Sequence, residues 1–72
     1  MKSHEILRNL INNLKADQFT VAQQDCLLLP ECNERASLYA TIRTIDSART
    51  KMAFNGAKWA AIGLADRLIG RI

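Results

Sequence analysis

The side chains best suited to chemistry in this 72-residue chain are Cys26, Cys32, the single histidine His4 and a loose group of carboxylates, Asp25, Glu31 and Glu34. The two cysteines flank Pro30 at a spacing that fits neither a C-x-x-C redox pair nor a zinc pattern. With one histidine to share, a Cys/His metal site runs out of ligands, so no metal and no cofactor is expected. Nucleophilic or acid–base catalysis needs titratable groups converging in a pocket, whereas His4 sits near the start of the chain, far from the acids. Glu31 and Glu34 fall where a helix is expected to begin, and there an acid is an ordinary partner of the helix dipole. The expectation is a non-catalytic protein without a small-molecule substrate. Cys26 and Cys32 read as small buried hydrophobes, with a redox pair around the proline bend as the alternative.

Without a catalytic constellation, the balance of apolar and charged residues carries the argument. The chain is 49% hydrophobic and 24% charged, with three glycines and one proline. That is too apolar for disorder and too poor in breakers for a many-turned β protein, so an all-α domain spanning residues 1–72 is expected. A domain of this size leaves much of its surface uncovered, and a metal, disulfides or association normally compensates. The net charge of +3 is unevenly placed. Up to Glu34, acids outnumber bases; beyond it Arg35, Arg43, Arg49, Lys51, Lys58, Arg67 and Arg71 face only Asp46 and Asp66. No leader-like segment and no apolar run approaching the ~20 residues of a membrane span is present, so a cytoplasmic protein with reduced thiols, without a membrane partner, is expected.

Helical periodicity then places these residues. Ile6, Leu7, Leu10, Ile11 and Leu14 line one side of a helix from Ser3 to Lys15, with Ser3 as N-cap and Glu5 in the first turn. Thr20 and Gln23 have the spacing of a capping box, predicting a second helix that reaches about Leu29 before Pro30 ends it. Pro30 suits the first position of a third helix running to Phe54, with Glu31 and Glu34 in its first turn. On that helix Leu38, Ile42, Ile45, Ala48, Met52 and Ala53 share a face with Arg49 near its middle. Asn55-Gly56 predicts the break, and a fourth helix follows from Ala57 to about Ile69.

On that fourth helix Ala57, Ala61, Ile62, Leu64, Ala65, Leu68, Ile69 and Ile72 form an apolar arc of roughly 160°, with Trp59 at its edge. One short neighbour cannot cover an arc that wide. The expected architecture is a compact bundle of three to four short helices, completed by dimerisation through the C-terminal helices. The expected function is that of a small regulatory protein acting by helix-mediated contact, as a homodimer or by binding and modulating a larger partner such as a regulator. Arg49, Met52, Ala57, Trp59, Ala61, Leu64 and Leu68 are the candidate interface residues, because arginine and tryptophan anchor interfaces and small alanines allow close helix approach. The alternative is a DNA-binding transcriptional regulator. Its helix-turn-helix would span residues 21–45, and Arg35, Ser37, Thr41 and Arg43 would face the groove. A proline and no glycine in the turn, with Glu31 and Glu34 at the point of entry, count against it. A membrane-surface helix over residues 57–72 is disfavoured because its basic residues do not gather on one side.

Overall fold

The computed structural model describes residues 2–71, and these form four α-helices without a strand: α1 Ser3–Lys15, α2 Phe19–Leu27, α3 Asn33–Asp46 and α4 Lys51–Arg71. Helix α1 follows its periodicity closely, burying Ile6, Leu7, Leu10 and Leu14. Its start differs from expectation. Lys2 holds the extended N-cap position and its carbonyl accepts the Glu5 and Ile6 N–H groups, so Ser3 is already helical and caps nothing.

The end of α1 is a complete Schellman turn. Asp17 adopts φ 62°, its N–H donates to the Leu14 carbonyl at 3.2 Å, and the Gln18 N–H donates to the Asn13 carbonyl at 2.8 Å. Aspartate tolerates this left-handed geometry better than most residues with a Cβ. The turn delivers Gln18 to the N-cap of α2, which starts one residue ahead of the expected capping box. Thr20 and Gln23 therefore cap nothing, and the Gln23 amide instead donates to Asp46 of α3 at 2.9 Å.

Pro30 was expected to open α3, but it lies in the connection of residues 28–32. The N-cap is Cys32, in extended conformation, whose Sγ accepts the Arg35 N–H at 3.4 Å. Glu31 is consequently outside the helix, and of the two expected acids only Glu34 occupies its first turn. Two further bonds tie the connection down: the Arg35 guanidinium donates to the Leu29 carbonyl at 2.9 Å, and the Cys26 thiol to the Arg35 carbonyl at 3.7 Å. Leu29 is thereby held in the core, at 3% exposure.

The break between α3 and α4 is also elsewhere than expected. Helix α3 ends at Asp46, and Asn55-Gly56 lies inside α4. Thr41 and Thr44 donate their hydroxyls back to the Ser37 and Thr41 carbonyls, a habit that weakens a helix. Thr50 then offers a strong new start, its Oγ1 accepting the Ala53 N–H at 3.1 Å. The break allows α4 to fold back along α3, and Arg71 near its end reaches Glu34 in the first turn of α3.

Each helix packs against two others in a closed cycle, α1 on α2, α2 on α3, α3 on α4 and α4 on α1. Leu7, Leu10 and Leu14 of α1, Ala22 and Cys26 of α2, Leu38 and Ile42 of α3, and Ala61 and Ala65 of α4 are fully buried at the centre. Phe19 and Phe54 close one side edge-to-face, with centroids 5.3 Å apart. The radius of gyration, 11.1 Å, is what a compact chain of this length has, about 11 Å. The apolar arc of α4 thus packs on α1 and α3 together: Ala61, Ile62, Ala65 and Leu68 are buried, and Ala57, Leu64 and Ile69 are partly so. Ile72 of that arc lies outside the described residues.

Candidate interaction surface on the C-terminal helix

Because α4 turns its arc inward, its opposite side becomes the outer face of the molecule. Six of the seven expected interface residues divide between the two. Ala61 and Leu68 belong to the chain's own core, and Ala57 and Leu64 are half-buried against it. Arg49 sits on no helix face at all; it is exposed in the connection of residues 47–50. Met52 and Trp59 alone project from the outer face of α4, 84% and 59% exposed.

What sequence reasoning missed is the company these two keep. Gly56, Gly63 and Gly70 recur every seven residues, and Met52, Trp59 and Asp66 recur every seven residues beside them, so that glycine and large side chain alternate along one stripe. All three glycines have ordinary helical backbone, and a Cβ built on any of them would meet nothing within 4 Å. Among the described residues, nothing crowds these positions and no positive φ demands glycine there. Each nevertheless costs the helix about 0.5–1 kcal/mol relative to alanine. The signal was legible in the seven-residue spacing, but Gly56 looked like a helix end.

Around Gly63 the stripe is indented, forming an open cleft of about 420 Å³ lined by Trp59, Ala60, Gly63, Leu64 and Arg67. A second groove, about 610 Å³, runs between the start of α3 and the end of α4, past Asn33, Ser37, Leu64, Arg67 and the Glu34–Arg71 pair. The Glu34 carboxyl is held below its ordinary value, first by its own backbone N–H, then by the Cys32 thiol and the Arg71 charge. His4 is exposed on α1.

The cysteines are likewise separated by environment. Cys26 is fully buried, and that burial pushes its thiol up to about 11, whereas Cys32 is exposed. The residues of the helix-turn-helix alternative are also placed. Arg35 is half-buried with its guanidinium on the Leu29 carbonyl, Thr41 donates back to Ser37, and Arg43 lies 6.0 Å from the centre of the Tyr39 ring. Ser37 and Arg43 are exposed on α3; Arg35 already serves the fold. No helix among the described residues is long and apolar enough to cross a membrane. Compared with protein-family models, curated proteins and solved structures, the chain matches none.

Proposed function

We propose that this protein is a small regulatory module without catalytic chemistry of its own, acting by protein–protein contact through the outer face of α4. One observation carries the reading. A helix already satisfied by its own core presents an exposed tryptophan and methionine interleaved with three glycines that the fold does not need. Tryptophan is enriched at interface hot spots, where it fills a pocket on the partner. Glycine on a helix surface lets another backbone approach closely. The contact regulates by occlusion or reshaping, with the partner either a second copy or a larger protein.

A photo-reactive residue introduced at the exposed Ala60 should give protein adducts in the cell of origin. The same residue at Gln24, exposed on α2, serves as the control. Adducts from Ala60 no more abundant than those from Gln24 would remove this surface as a docking site.

A further inference from the structure

Resting on that reading, we infer that the occupant of the α4 face is α4 of a second copy, packed antiparallel about a two-fold axis at the level of Ala61. The inference comes from how the stripe reads against itself. Place the axis at Ala61 and run the second helix in the opposite direction: Trp59 then faces Gly63 of the second copy, and Met52 faces Gly70. By symmetry the same two contacts form again on the other side of the axis. Each large exposed apolar side chain meets a position with no side chain, and the Trp59 contact lands in the cleft around Gly63. Ala60 lies beside the axis in both copies, small enough to let the backbones come together. An axis between Ala57 and Lys58 would also set Trp59 against Gly56 and Met52 against Gly63, but it overlaps the two helices only over residues 51–64, whereas the axis at Ala61, the midpoint of α4, pairs the helix along its whole length.

Charge selects the same orientation. In a parallel pair Asp66 would lie beside Asp66 of the second copy, Trp59 beside Trp59, and every glycine opposite a glycine, leaving voids and a like-charge contact. The antiparallel pair sends the two Asp66 carboxylates to opposite ends, where each faces Gly56 next to the Asn55 amide and stays in water. Antiparallel alignment also opposes the two helix dipoles favourably.

The test uses the purified full chain with Cys32→Ser, a substitution that keeps a good capping residue at the start of α3 and removes the exposed thiol. Added to it, Ala60→Cys should cross-link copy to copy with a short thiol-reactive linker. Met52→Cys should not, because eighteen residues of helix, about 27 Å, then separate the two thiols. Sedimentation velocity of the wild-type chain should show a dimer by about 100 μM. Gly63→Leu should weaken it by roughly tenfold or more while circular dichroism stays helical, since the new side chain enters open space. Cross-linking through Met52→Cys overturns the antiparallel register. A chain monomeric at about 100 μM, or a Gly63→Leu dimer of wild-type strength, overturns the second copy. If Ala60 photo-adducts to a different protein persist in that case, the docking surface stands and only its occupant was wrong.

Discussion

At Cys26 and Cys32 the fold separates two chemically identical groups. The Cys26 thiol, buried and donating to the Arg35 carbonyl, holds its proton until about pH 11, against 9.0 for an unperturbed thiol. Its pKa is raised on folding, so its contribution to stability is intact below about pH 9 and is lost as pH rises towards 11. Denaturant unfolding across that window should show this loss, and Cys26→Ala should be less stable but should lack that part of the pH dependence. In the same way, one thiol per chain should react with a disulfide reagent in the native state and two in denaturant. Reaction of both at equal rates in the native protein would contradict the burial of Cys26. The capping residues make a second residue-scale contrast. Thr50→Ala should cost about 1 kcal/mol in urea unfolding because it removes the bond to the Ala53 N–H. Ser3→Ala and Thr20→Ala, at positions that look equally like caps in the sequence, should stay within about 0.5 kcal/mol because neither side chain caps a helix.

Among the elements, α1 was legible because one strong signal had no rival: its apolar residues recur at helical spacing and all of the tightest ones are buried. The boundary between α3 and α4 was not, because two signals competed. Asn55-Gly56 looks locally like a stop, yet the chain gains more by starting a new helix at Thr50 and running Phe54, Ala57 and Ala61 along a core already built by α1 and α3. Pro30 misled for a related reason. A proline fits the first turn of a helix, but here Leu29 is buried, its carbonyl accepts from Arg35, and the chain stays non-helical until the extended Cys32. Misplacing the α3–α4 break also put Arg49 on a helix face it does not occupy. Within α4 the energetics separate its two sides. Leu68→Asp should unfold the protein, since Leu68 is 4% exposed, and cannot report on association. Gly56→Ala on the outer side should instead raise monomer stability by about 0.5–1 kcal/mol, measured by thermal unfolding at low concentration.

For the molecule as a whole, four helices close around a single core, with Ala57, Leu64 and Ile69 of α4 only partly covered. The sequence pattern draws attention to the side of α4 that carries the arc, whereas the exposed Met52 and Trp59 lie on the other side. The inward arc is large but ordinary, and the outward stripe is small but unexplained by the fold. A protein of this kind should melt at a temperature that rises with its own concentration, since association favours the folded state by mass action. Gly63→Leu should move that dependence to roughly tenfold higher concentration while leaving the low-concentration melting temperature equal or higher.

The seven-residue spacing of Gly56, Gly63 and Gly70 carries one more consequence, which concerns handedness. Seven residues of a straight α-helix turn through about 700°, some 20° short of two full turns, so the stripe winds slowly round the outside of α4. A rigid rod laid along it would lose contact after the first glycine or two. Any helix that follows the whole stripe must cross α4 with a left-handed tilt near +20°. The spacing of three residues without side chains thus sets the chirality of whatever assembly forms on this face.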